Sequence, residues 1–140
     1  MTLLKIRAKK KMIPEVDNIL PISTTTSEFF KDWLEFIKPV HKLTEREQDV
    51  AAAFLRKRFE LSEKINDPQI LDQVLFSDKT KKKIMEEVGI SVPHFQMLMG
   101  KLRKAGVIVN NTLNPKIVPI LKRETNDFKL LVYFEIKNEG

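Results

Sequence analysis

The chain of 140 residues contains no cysteine, only two histidines and only four glycines. The absence of cysteine excludes disulfides and thiolate metal sites. Neither His41 nor His94 lies in a ligand or catalytic motif, and the sequence has no glycine-rich phosphate-binding loop. Carboxylate pairs such as Glu86 and Glu87 fit an ordinary helix surface. We therefore expect a protein that is not an enzyme and that uses no metal, cofactor or small-molecule substrate.

Long hydrophobic runs are also absent. No apolar stretch approaches the roughly 20 residues of a membrane span, and the N-terminal residues lack the apolar core of a signal peptide. The sequence therefore predicts a soluble protein with no membrane partner, located in the cytoplasm or packaged in an assembly such as a phage particle. The length suits one domain with extensions, because it supports one substantial hydrophobic core but not two independent ones.

The net charge is +6, and the positive charge is concentrated in two places. Residues 1–12 contain five basic and no acidic residues, and residues 77–104 contain seven basic and three acidic residues. Such clusters are typical of proteins that bind nucleic-acid phosphates. We interpret residues 1–27 as an extended basic arm, for which a solubilising tail or a contact with an acidic protein is the alternative. The basic residues of this arm are Lys5, Arg7, Lys9, Lys10 and Lys11.

An aromatic-rich helix is predicted over residues 28–38, capped by Thr26 or Ser27 and ended by Pro39. Its apolar surface must be covered, either by docking on the domain or by an interface with another protein. The candidate interface residues are Phe29, Phe30, Trp33 and Phe36. We assign residues 28–42 to this helix and a linker, and residues 43–140 to the main domain.

Four more helices and three strands are predicted in the main domain. Thr44 and Glu47 form a capping box for a helix over residues 43–65, and a short helix follows from Asp67 to about Phe76. A helix after residue 77 ends at Gly89, and the next one spans about residues 92–105. Strands are expected from Val107, over residues 113–120 and over residues 128–136, with turns at residues 110–111 and 122–127.

The helix over residues 92–105 has two faces. Phe95, Leu98, Met99 and Leu102 form one apolar stripe that should pack on the core. The opposite side consists of Gln96, Met97, Gly100, Lys101 and Lys104, with His94 and Arg103 at its flanks. A glycine costs about 1 kcal/mol inside a helix, so its presence here favours close approach by a binding partner.

The order of helices, turn and strand resembles the winged helix-turn-helix superfamily over roughly residues 43–121. The resemblance depends on VGIS at 88–91, on Leu98 and Leu102, and on AGVI at 105–108. LNPKIV at 113–118 is similar to phage and plasmid replication or regulatory proteins of this type. The resemblance implies a mainly α fold with a small β wing and an N-terminal extension. It also implies that residues 92–105 enter the major groove of DNA and that the wing contacts the backbone.

The first functional hypothesis is a regulator of transcription or replication that binds double-stranded DNA. Gln96 is the candidate reader of adenine, and Lys101 or Arg103 that of guanine. The complete candidate set is Lys81, Lys82, Lys83, Ser91, His94, Gln96, Met97, Lys101, Arg103, Lys104 and Asn111.

The alternative hypothesis is a component of a phage virion or another assembly that uses the same fold to bind protein, either a partner or further copies of itself. The aromatic helix, the basic arm, and Met97 and Gly100 on the outer helix face favour this alternative.

Overall fold

The computed structural model describes residues 18–139, and the basic residues predicted to form the N-terminal arm lie outside this range. The described part is mainly helical, with six helices and one two-stranded antiparallel sheet. The predicted fold class, mainly α with a small β element, is confirmed at this level. The helices are α1 (Thr26–Phe36), α2 (Lys38–His41), α3 (Glu45–Ser62), α4 (Pro68–Leu75), α5 (Asp78–Val88) and α6 (Val92–Lys104), and the strands are β1 (Ile108–Val109) and β2 (Thr112–Leu113).

Helix α3 forms the centre of the core. Every residue from Val50 to Leu55 is buried, so this part of the helix is surrounded by other elements. Helices α1, α4, α5 and α6 all contact it. The ring of Phe54 stacks on Phe76 at 5.0 Å and on Phe95 at 6.4 Å between centroids. These aromatic contacts link α3 to the end of α4 and to the inner face of α6.

The helices begin at the predicted capping residues, with one exception. The capping box of Thr44 and Glu47 is present as predicted, with both of its hydrogen bonds formed. Thr25, and not Thr26 or Ser27, caps α1, because Thr25 has extended backbone angles and its hydroxyl accepts from the backbone N–H of Glu28.

The predicted end of the first helix is also corrected. Helix α1 ends at Phe36, and Pro39 lies in the first turn of α2, where its missing N–H costs little. Pro39 therefore starts a second short helix and does not terminate the first.

The aromatic helix docks on the rest of the chain. Phe30 and Leu34 belong to the same hydrophobic core as α3 and α6. The indole N–H of Trp33 donates to the backbone oxygen of Ile117 at 2.7 Å. Phe30 is 2% exposed, so it is a core residue and not an interface residue, which corrects the prediction for this position.

One predicted strand is much shorter than expected, and another is not formed. The strand expected over residues 113–120 ends at Leu113, because the Asn114 side chain turns the chain by donating to the oxygen of Gly106 and accepting from the N–H of Lys116. Residues 128–136 have no strand partner among residues 18–139 and form no strand. A segment with a strand-like sequence forms a strand only when a second strand supplies its hydrogen-bond partners. The described part of the chain supplies none for residues 128–136.

The turn at residues 122–127 is held at both ends. Lys122 and Asp127 form an isolated antiparallel bridge. Arg123 lies over the ring of Phe59 at 3.8 Å and pairs with Glu63 at 3.2 Å. These contacts attach the turn to the end of α3, from which the final residues of the chain leave.

Candidate nucleic-acid interface

Helices α5 and α6 are joined by a sharp connection at Gly89. This residue has a left-handed conformation, with φ at +77°, which strongly favours glycine. The N–H groups of Gly89 and Ile90 both donate to the oxygen of Met85, at 2.8 and 3.1 Å. The Ser91 hydroxyl then accepts from the N–H of His94 at 3.3 Å and caps α6. The relative placement of the two helices is therefore fixed by local hydrogen bonds.

The inner face of α6 anchors it on the core as predicted. Leu102 is fully buried, and the other members of the stripe are at most 3% exposed. At its C-terminal end the helix leads through Gly106, at φ +80°, directly into β1. The N–H of Val107 donates to the oxygen of Leu102 at 3.0 Å. Helix α6 and the hairpin formed by β1 and β2 are thus continuous, and both are held on the core by the inner face of α6.

The outer face of α6 is open in the described part of the chain. Met97 is 53% exposed, and His94 at the flank is half-buried. A Cβ placed on Gly100 would meet no atom within 4 Å, so no described residue covers the middle of the helix. The exposed members of the predicted outer face are Gln96, Met97, Gly100, Lys101, Arg103 and Lys104.

The cations on this face form no ion pairs with residues 18–139. We call Lys101, Arg103 and Lys104 the basic surface; none of them lies within 4.0 Å of a described carboxylate. All three belong to the last turn of α6, where positive charge also offsets the helix dipole. Their charge is therefore available to an external anion.

In the groove between α1, α3 and α5, unlike on the basic surface, the charged side chains form ion pairs. Lys31 and Arg46 both contact Asp49 at 3.1 Å, and Arg56 contacts Glu87 at 2.7 Å. The hydrogen bond to Asp49, together with the charge of that carboxylate, raises the pKa of Lys31. Charges of both signs thus neutralise one another in this groove, which distinguishes it from the basic surface.

Helix α5 carries the other predicted cations. Lys82 and Lys83 are exposed, whereas Lys81 is half-buried beside the inward-facing Thr80 and Ile84. Lys79 is also exposed and shares the outer helix face with Lys82 and Lys83, because residues three and four apart are neighbours on a helix. Lys79 was missing from the predicted set, although the same periodicity identifies it.

The hairpin that follows α6 ends in two asparagines. Asn110 and Asn111 have φ values of 53° and 57°, and both are exposed. Two consecutive left-handed residues form the turn that suits the twist of a hairpin. The strands pair with Ile108 opposite Leu113 and Val109 opposite Thr112. The predicted turn is therefore present, and Asn111 lies at its tip.

No family model, curated protein or solved structure matches this chain. Within residues 18–139, no three His, Asp or Glu side chains lie close enough together to hold a metal ion. None of the helices in that range is long and apolar enough to cross a membrane.

Both histidines have defined surroundings. His41 is buried, its Nδ1 accepts from the N–H of Leu43 at 2.9 Å, and its Nε2 donates to the oxygen of Leu34 at 2.7 Å. Because both ring nitrogens are used within the fold, His41 is a structural residue. His94 lies on α6 at the edge of the open face.

Proposed function

We propose that the chain is a winged helix-turn-helix protein that binds double-stranded DNA, with α6 in the major groove and the β1–β2 hairpin as the wing. The observation that supports this proposal is the contrast between the two faces of α6. One face is fully buried on the core, and the other is open and ends in three cations without a described partner.

The dimensions of α6 suit this role. The major groove admits a single α-helix, and α6 has 13 residues, which is about 20 Å at 1.5 Å per residue. Gly100 lies in the middle of the outer face, where the absence of a side chain allows a base edge to approach the backbone closely. Met97 and Gln96 flank this position one turn earlier.

In the proposal, some of the remaining residues position the protein on DNA and others read bases. Lys82, Lys83 and Asn111 are exposed and contact phosphates, which set orientation without reading sequence. Gln96 reads adenine, and Lys101 or Arg103 reads guanine. The basic N-terminal arm adds affinity that does not depend on sequence. Such a protein acts in the cytoplasm as a regulator of transcription or replication.

The test is duplex binding measured by fluorescence anisotropy at low and at raised salt. The affinity for mixed-sequence duplex should fall steeply with salt, because each neutralised phosphate releases counterions. The double variant K101E/K104E should bind more than about tenfold more weakly at low salt, since each phosphate or base contact contributes on the order of 1 kcal/mol. The matched control is K38E/K64E, which changes the net charge equally at exposed positions outside α5, α6 and the hairpin.

Two results would contradict the proposal. The first is the absence of duplex binding by the unchanged protein at low salt. The second is an equal loss of affinity in K101E/K104E and in K38E/K64E, because binding would then follow net charge and not the basic surface.

A protein partner for α6 is the second candidate function, favoured by the exposed apolar side chains of Val92 and Met97. In this case the chain is an assembly component, such as a virion protein. Met97→Lys separates the two functions. The added cation should strengthen duplex binding if α6 faces DNA, and it should weaken assembly if α6 faces an apolar protein surface.

A further inference from the structure

The C-terminal segment exposes a row of strand-forming apolar residues. After Phe128 the chain has no regular secondary structure, and Phe134 and Ile136 are 81% and 92% exposed. The other exposed members are Leu130, Leu131, Val132 and Tyr133. None of them has a strand partner in residues 18–139. An exposed apolar segment made of strand-forming residues offers a surface on which another strand can pair.

The start of this segment is fixed on the body of the molecule. The ring of Phe128 lies 5.4 Å from that of Phe29 and 5.5 Å from that of Trp33, in edge-to-face geometry. The turn before it is held by Arg123 on Phe59 and Glu63. The segment is therefore presented from a defined point beside α1.

The sequence of the segment alternates between two faces of a strand. The even positions from 128 to 136 are all apolar: Phe128, Leu130, Val132, Phe134 and Ile136. The odd positions carry the four charges, Asp127, Lys129, Glu135 and Lys137, with Leu131 and Tyr133 between them. A strand paired with this segment therefore meets one apolar face and one charged face.

We propose that residues 127–137 pair with the same segment of a second copy of this chain, as antiparallel strands with Val132 on the two-fold axis. In this register Lys129 of each copy lies opposite Glu135 of the other. Asp127 likewise lies opposite Lys137. Four pairs of opposite charge form on one face, and Phe128 meets Ile136 and Leu130 meets Phe134 on the other. The segment is complementary to itself in charge and in shape.

Other registers lose this complementarity. A parallel pair in register places Lys129 opposite Lys129 and Glu135 opposite Glu135, and like charges opposite one another are destabilising. Shifting the antiparallel register by two residues places Lys129 opposite Lys137, or Asp127 opposite Glu135. A shift by one residue mixes the apolar and the charged faces. Only the register centred on Val132 pairs all four charges with opposite ones.

The charges are available for this pairing. In the single chain Lys129 approaches Asp127 only to 3.7 Å and Lys137 approaches Glu135 only to 3.9 Å, and both lysines are more than 80% exposed. Pairing with a second strand therefore breaks no buried interaction. The apolar face of the ribbon begins at Phe128, whose ring packs against Phe29 and Trp33 of α1. An isolated two-stranded ribbon is marginal, and in the proposed dimer the packing of Phe128 on Phe29 and Trp33 supports one end of its apolar face.

The first test is oligomeric state, measured by sedimentation velocity on the full chain. The unchanged protein should form a dimer. K129E and E135K should each weaken the dimer at least about tenfold, because each creates two pairs of like charge. The double variant K129E/E135K should dimerise again, since every pair is then opposite in sign. An equimolar mixture of the two single variants should form a heterodimer for the same reason.

Two outcomes of this test of the charge variants would overturn the proposal. One is a monomer at all concentrations for the unchanged protein. The other is a dimer that tolerates both single changes, because it must then form through another surface. All the substituted positions are exposed, so thermal melts should show the same fold in every variant.

The second test locates the register by cysteine cross-linking, which is simple because the chain has no cysteine of its own. In the proposed dimer the two copies of position 132 face each other, with Cα atoms about 5 Å apart, within the range for a disulfide. The two copies of position 134 are offset by four residues, or about 14 Å. Val132→Cys should therefore give a covalent dimer on mild oxidation, and Phe134→Cys should not. Equal cross-linking at both positions, or none at either, overturns the proposed register.

Discussion

Trp33 and Ile117 lie 84 positions apart in the chain and are joined by a hydrogen bond of 2.7 Å from the indole N–H to the backbone oxygen. The bond ties α1 to the segment that follows the hairpin. The half-buried indole also contacts Phe128, so one side chain holds two later parts of the chain against the first helix. The hairpin and the C-terminal segment are therefore positioned in part from the N-terminal side of the domain.

The first prediction concerns this bond. Trp33→Phe keeps an aromatic ring but leaves the oxygen of Ile117 without its donor. We expect the free energy of unfolding to fall by about 1–2 kcal/mol. Urea unfolding followed by far-UV circular dichroism is the measurement, because Trp33 is the only tryptophan and its fluorescence is lost. Val40→Ala, at a position that is 75% exposed, is the control and should change stability by less than about 0.5 kcal/mol. Equal effects of the two changes would show that the bond contributes nothing.

The second prediction concerns His41, which links the end of α1 to the start of α3 through Leu34 and Leu43. His41→Ala removes both hydrogen bonds and leaves a buried N–H and a buried oxygen without partners. We expect a loss of about 2–4 kcal/mol in the free energy of unfolding, since each such group costs about 1–3 kcal/mol. His94→Ala should cost less than about 0.5 kcal/mol, because no described group bonds to its ring. A His41 variant as stable as the His94 variant would contradict the structural role.

Local signals in the sequence predicted much of this architecture. The capping box at Thr44 and the left-handed conformation of Gly89 depend only on residues within four positions in the chain. Both could therefore be predicted from the sequence alone. The two faces of α6 followed from helical periodicity, because Leu102 and Gly100 lie on opposite sides of any helix over this segment.

The features that the sequence did not predict depend on distant partners. The burial of Phe30, and the hydrogen bond from Trp33 to Ile117, arise from packing between elements that no local pattern relates. The strand predicted over residues 128–136 is absent for a related reason. Its alternation indicates which face is apolar, but a strand forms only where another strand supplies the hydrogen bonds.

The third prediction separates folding from binding at the hairpin tip. Asn111 has a left-handed conformation, which glycine adopts at no steric cost. Asn111→Gly should therefore keep or raise the free energy of unfolding, by up to about 1 kcal/mol. Asn111→Val should lower it by about 1–2 kcal/mol. If the tip contacts phosphate as proposed, Asn111→Gly should also weaken duplex binding. Unchanged affinity in this stable variant would exclude a side-chain contact from Asn111.

The fourth prediction sets stability against function at Gly100. A methyl group at this position meets no described atom, and alanine is a better helix former than glycine. Gly100→Ala should raise the free energy of unfolding by about 0.5–1 kcal/mol. Gly106→Ala, at φ +80°, is the matched change that should lower it.

The same Gly100 variant tests how closely DNA approaches α6. If the middle of the helix lies against base edges, the added methyl group should weaken duplex binding several-fold even though the protein is more stable. Anisotropy titration of the unchanged protein and of Gly100→Ala, at equal salt, makes the comparison. Higher stability with unchanged affinity would mean that nothing approaches Gly100 closely, and the placement of α6 in the major groove would then be wrong.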